Sequence, residues 1–141
     1  MISEDEQFNA LLAELRVLEN TLNDYTLRLN FLERALTEAR SALDTIRSLG
    51  SEKPEEILTP VGAGVLLRGK PPNSDRILIN VGANVVLEKN RDDAAVILEK
   101  RIEEFEQSMI AVATQRNQIA QRLEADRRAL QVIASRQAPQ Q

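Results

Sequence analysis

Two stretches with a heptad repeat flank one that alternates. In the first stretch apolar residues recur in steps of three and four. One line runs Phe8, Leu15, Leu22, Leu29, Leu36, Leu43; the other runs Leu11, Leu18, Tyr25, Leu32, Ala39, Ile46. Such a seam predicts a long helix that pairs with another along its length. Ser3-Glu4-Asp5-Glu6 supplies a capping box and an acidic first turn at its start, and Gly50 with Pro54 marks its end. The last stretch repeats the pattern through Ala95, Leu98, Ile102, Phe105, Met109, Val112, Arg116, Ile119, Leu123, Asp126, Leu130 and Ile133, behind Asn90 as a helix cap. Arg116 and Asp126 are polar seam positions, of the kind that set register at some cost in stability. Each arm is about 42–44 residues, roughly 65 Å as a helix.

The middle, Glu56 to Glu88, holds four of the five glycines and three of the five prolines and is rich in Val, Ile and Leu. It repeats itself: Val61-Gly62-Ala63-Gly64-Val65-Leu66-Leu67 matches Val81-Gly82-Ala83-Asn84-Val85-Val86-Leu87 after a shift of twenty positions. Gly64 and Asn84 are equivalent, and both tolerate the positive φ of a tight turn. Two successive β-hairpins are therefore expected, with Gly69 to Asp75 as the loop between them. Hairpins this short have unpaired edges and little core. The residues expected to meet strands of other chains are Ile57, Val61, Val65, Leu67, Ile77, Ile79, Val81, Val85 and Leu87. The fold class is mainly α: a long antiparallel two-helix coiled coil joined by two β-hairpins that form an assembly-prone joint. The expected divisions are 1–50 for the first helix, 51–90 for the hairpins, 91–137 for the second helix and 138–141 for a frayed tail.

Composition narrows the chemistry. Aromatics are 3% of residues and charged residues 28%, which suits long helices better than a rounded core. With no Cys and no His, the commonest nucleophile, general base and metal ligand are missing together, so no enzyme and no cofactor are expected. The acidic start does not read as a signal peptide, and no apolar run approaches the roughly 20 residues that span a bilayer, so a cytoplasmic protein is expected. The net charge of −4, with the acid concentrated in the first arm, disfavours nucleic acid and membrane partners. Gly64 to Lys70 has the spacing of a phosphate-binding loop, but Pro71 stands where the hydroxyl should be and no helix start follows.

An antiparallel pairing brings the chain ends together at the far tip of the coil. It sets the acidic start of the first arm (Glu4, Asp5, Glu6, Glu14, Glu19) beside the mostly basic end of the second (Arg122, Arg127, Arg128, Arg136). Leu12, Val17, Leu27, Ile110 and Val132 are apolar but off the seam. Leu12, Val17 and Val132 crowd toward the tip near Ile2 and Phe8. Apolar surface there suggests a contact site. The expected set is Ile2, Phe8, Leu11, Leu12, Leu130, Val132 and Ile133. Phe8, Leu11, Leu130 and Ile133 belong to the seam and become available only when the last turns part.

The layout resembles a prefoldin subunit of the alpha class over the whole chain. The most specific match is Ile57-Leu58-Thr59-Pro60-Val61-Gly62-Ala63-Gly64, with Val81 to Lys89 as its second copy. The resemblance implies a hexamer of two alpha and four beta subunits whose hairpins form a double β-barrel platform. It further implies an ATP-independent holdase that binds unfolded client proteins at its coiled-coil tips and hands them to a group II chaperonin. The competing reading is a structural or scaffolding subunit with no holdase role; exposed apolar tips favour the first, polar tips the second.

Overall fold

The computed structural model describes residues 2–49, 56–70 and 75–137. In chain order it contains α1 (Glu4–Ser48), β1 (Ile57–Gly62), β2 (Val65–Gly69), β3 (Arg76–Gly82), β4 (Val85–Asn90) and α2 (Arg91–Gln137). It divides into two compact units, Met1–Ala35 with Phe105–Gln141, and Leu36–Glu104.

The first unit is a pair of helical segments. Arg136 lies 3.8 Å from Glu4, while Arg116 Nε donates to Thr26 Oγ1 over 3.1 Å, so the two segments run antiparallel. Every apolar seam position in it is buried or half-buried, with Leu15, Leu123 and Ile133 the most enclosed. Both polar seam residues also turn inward: Arg116 is half-buried and Asp126 is 4% exposed. Ser3 caps α1 by accepting from Glu6 N over 3.2 Å, and the acidic first turn sits on the positive end of the helix dipole.

The second unit packs one hairpin on two helical segments. Its core is Leu43, Ile46, Ile79, Ala94 and Leu98, with Ile77, Ala95, Ile97 and Ile102 around it. Ala94 is the fully buried residue, whereas the heptad pattern singles out Ala95, which is only half-buried. The reason is that β3 adds a third element to the packing. Strand β4 runs directly into α2: Asn90 ends the strand, and its Oδ1 accepts from Asp93 N over 2.7 Å as the helix cap. At the other end, Leu49 N donates to Thr45 O over 3.2 Å and Ile46 O over 3.3 Å. The Arg91 guanidinium in turn donates to the Leu49 carbonyl, just past the last turn of α1. Gly50 and Pro54, expected to stop α1, lie outside the described residues, as do positions 71–74 of the expected loop and the tail 138–141. Gly69, expected in that loop, instead ends β2.

The two hairpins repeat in structure as they do in sequence. In β1–β2, Leu58 pairs with Arg68, Pro60 with Leu66 and Gly62 with Val65; in β3–β4, Leu78 pairs with Glu88, Asn80 with Val86 and Gly82 with Val85. Each carries a bulge just before its turn, at the equivalent places Pro60/Gly62 and Asn80/Gly82. Each turn has two central residues with positive φ, Ala63 at 49° with Gly64 at 78°, and Ala83 at 50° with Asn84 at 60°. This is the type I′ geometry whose twist matches that of the strands. Each hairpin also has one cross-strand ion pair in the same place with the signs exchanged: Glu56 with Arg68 at 3.7 Å, and Arg76 with Glu88 at 3.8 Å.

Candidate functional site

The first unit presents an open apolar groove of about 520 Å³ where the start of α1 meets the end of α2. Ile2 and Leu11 line it from one side, Val132 and Ile133 from the other. Ala10 and Ala129 also line it, and their short side chains leave the space that a longer residue would fill. Gln7 and Glu14 supply its polar rim. A groove of this size accepts a few side chains of an extended segment.

Two ion pairs and a hydrogen bond fix the register of the two walls. Arg122 Nε donates to Glu14 Oε1 over 2.8 Å, Arg127 meets Glu19 at 3.5 Å, and Gln137 Nε2 donates to Asp5 Oδ1 over 3.1 Å. The Arg122 guanidinium is held above its ordinary pKa, first by the Glu14 hydrogen bond and charge, then by the charge of Asp126. These contacts are exposed and screened by water, so they select register more than they add stability. Arg128, also expected to face the acidic start of α1, instead pairs along its own helix with Glu124 at 3.6 Å.

The seven residues expected at the tip divide into groups. Ile2, Leu11, Val132 and Ile133 share the groove. Phe8 and Leu130 are half-buried in the seam, and Leu12 is exposed on α1; none of the three lines the groove. Val17 is also exposed. Farther along, Leu27 and Phe31 lie one turn apart on the outer side of α1 and are 66% and 70% exposed. Sequence reasoning noted Leu27 and passed over Phe31. The signal was available, because Phe31 stands next to seam position Leu32 and so cannot itself lie in the seam.

The hairpins form the second candidate surface. Every residue of β1 and β2 is exposed, including Ile57, Val61, Val65 and Leu67. Leu58 and Leu66, on the opposite face of the same hairpin, are exposed too and were missed. The apolar character of both faces was the signal, since a one-sided sheet alternates. In the second hairpin Val81, Val85 and Leu87 are exposed, but Ile77 and Ile79 are committed to the helices, Ile79 at 7% exposure. Ile79 is therefore a core residue of its own chain and not free for another. The Gly64 to Gly69 run with phosphate-loop spacing is a hairpin turn and strand β2, a backbone with no helix N-terminus in it. Among the described residues no three acidic side chains are grouped to hold a metal ion, and no helix is long and apolar enough to cross a membrane.

Comparisons with known proteins agree on one family. The family model described as "Prefoldin subunit" matches residues 18–136. The chain is 33% identical over 119 residues to the prefoldin subunit alpha of Nitrosopumilus maritimus, covering 84% of this chain and 82% of that one. It is 33% identical over 126 residues to the prefoldin subunit alpha of Methanoculleus marisnigri, covering 79% and 85%. Among solved structures, the prefoldin beta subunit from Thermococcus strain KS-1 superposes with a TM-score of 0.66 at 21% identity, covering 99% of this chain and all of that one.

Proposed function

The chain belongs to the prefoldin family of chaperone subunits, and from that premise we propose that it is the alpha-class subunit of a cytoplasmic, ATP-independent holdase. Its hairpins join those of beta subunits, two alpha with four beta, into a double β-barrel. The tips of its helices capture unfolded polypeptide and deliver it to a group II chaperonin. The observation that carries the reading is the open apolar groove lined by Ile2, Leu11, Val132 and Ile133. A scaffold has no use for apolar surface at its helix ends, where contact with water favours covering such surface or replacing it with polar residues.

The energetics suit holding rather than folding. Covering one exposed Leu or Ile side chain fully yields about 1.5–3 kcal/mol. A single groove of this size therefore binds weakly once the client segment has been ordered. Several tips on one client raise the effective concentration and make capture tight, while each contact remains easy to release. No step needs a catalyst or a nucleotide.

Replacing Ile2, Leu11 and Val132 together with Ser tests the reading. The expected result is an assembled oligomer with unchanged helical circular dichroism that no longer suppresses aggregation of guanidinium-unfolded, reduced lysozyme. Undiminished protection by the variant would move the scaffold reading ahead.

A further inference from the structure

Asp126 is a seam residue that is only half satisfied. It is the one buried polar or charged side chain among the described residues, and its Oδ2 has no hydrogen-bond partner. The nearest cation, Arg122, stands 3.6 Å from Oδ1 and is engaged at 2.8 Å by Glu14 on the other helix. The other polar seam residue makes the contrast: Arg116 Nε finds Thr26 Oγ1 at 3.1 Å, and that hydroxyl donates onward to Leu22 O at 3.0 Å. One polar layer is satisfied across the seam and the other is not.

Position gives the unsatisfied layer its meaning. The register set by Asp5 with Gln137 and Thr26 with Arg116 puts Asp126 opposite position 16, so that its neighbour in the facing seam is Leu15. The seam layers outside it, toward the chain ends, are Leu11 with Leu130 and Phe8 with Ile133. A buried carboxylate with one oxygen unpaired is costly, and opening returns it to water. The seam is thus weakened at one layer, just inside the side chains that a closed coil withholds. Helix ends already open most easily. An apolar residue at 126 would add packing to the closed form and remove the benefit of opening.

We propose that Asp126 is a positioning residue that keeps this end of the helix pair poised to part, so that Phe8 and Leu130 join the groove residues Ile2, Leu11, Val132 and Ile133 in contacting a client. The proposal rests on the tip-binding reading above and adds to it how seam residues become available. It requires that Asp126 costs stability and supports capture, whereas a merely structural residue supports both.

The test is amide hydrogen exchange on the full-length chain assembled with its beta-class partner, read beside aggregation suppression of guanidinium-unfolded, reduced lysozyme. Asp126→Leu is expected to slow exchange at residues 4–12 and 128–137 by roughly tenfold or more, the order expected when a buried polar group is no longer left unpaired. Protection of lysozyme is expected to fall severalfold with it. Asp126→Asn removes the charge at constant shape, should shift both readouts in the same direction by less, and serves alone if the leucine variant fails to assemble. Unchanged or faster exchange at these ends overturns the proposal, and so does slower exchange with undiminished capture. If the Ile2, Leu11, Val132 variant has lost capture while the Asp126 variants keep it, this inference alone has failed. If the groove variant itself still captures, the tip-binding reading has failed first.

Discussion

Ala63 and Ala83 occupy the left-handed region, where an L-residue with a Cβ is disfavoured by roughly 1–2 kcal/mol. They stay there because a two-residue I′ turn needs positive φ at both central positions, and the strand register on either side allows no other loop. Gly64 and Asn84 were legible as turn residues, because their chemistry favours that region. The alanines were not, because alanine has no such preference; only the two-residue spacing betrays them. A Cβ added at Gly64 would meet nothing within 4 Å, so any cost of adding one there is conformational. Ala63→Gly should therefore raise the stability by about 0.5–1 kcal/mol after the greater freedom of the unfolded chain is subtracted, and Gly64→Ala should lower it by a similar amount. Urea titrations at one fixed protein concentration decide it, and the same sign for both substitutions would contradict the turn geometry.

At the scale of elements the two hairpins look alike and behave differently. Thr59 in β1 is equivalent to Ile79 in β3 under the twenty-residue shift; Thr59 is exposed in a hairpin with no buried residue, whereas Ile79 is buried in a helical core. Ile79→Ala should cost about 2–5 kcal/mol, because it empties a filled position among Leu43, Ile46 and Leu98. Leu58→Lys with Leu66→Lys should instead leave helicity and thermal unfolding of the isolated chain nearly unchanged, since neither side chain is buried. The pair should reduce oligomer size in the presence of the beta-class partner, as seen by native mass spectrometry. A full-size oligomer from the double lysine variant would mean that the first hairpin is not an assembly surface.

For the whole molecule, the reading assigns assembly and binding to separate parts of the chain. The hairpins carry exposed apolar strands, and the paired chain ends carry the groove. Removing residues 1–12 and 130–141 takes away all of the apolar groove lining contributed by Ile2, Leu11, Val132 and Ile133 while leaving the second unit whole. The trimmed chain should still assemble at full size and should no longer protect a denatured client. Loss of assembly upon trimming would show that the two roles are not separable. The helices and caps behind this division were readable from the pattern alone, down to Ser3 and Asn90.

What the sequence determined by itself are the features set by residues near one another along the chain. The heptads made α1 and α2, the repeated Gly-Ala-Gly and Gly-Ala-Asn runs made two hairpins of one register, and polar caps set the helix starts. Tertiary structure alone decided what depends on which elements meet. It turned Ile79 inward and made Ala94 rather than Ala95 the fully buried residue, because a strand packs on that part of α2. It gathered Ile2, Leu11, Val132 and Ile133 around Ala10 and Ala129 and left Phe8, Leu12 and Leu130 out of the groove. It also satisfied Arg116 while leaving Asp126 Oδ2 unpaired. Both are polar residues in the same seam, and their difference lies in their neighbours: Arg116 meets a threonine hydroxyl of the opposite helix, whereas Asp126 has beside it an arginine one turn earlier on its own helix, already engaged by a glutamate of the opposite one.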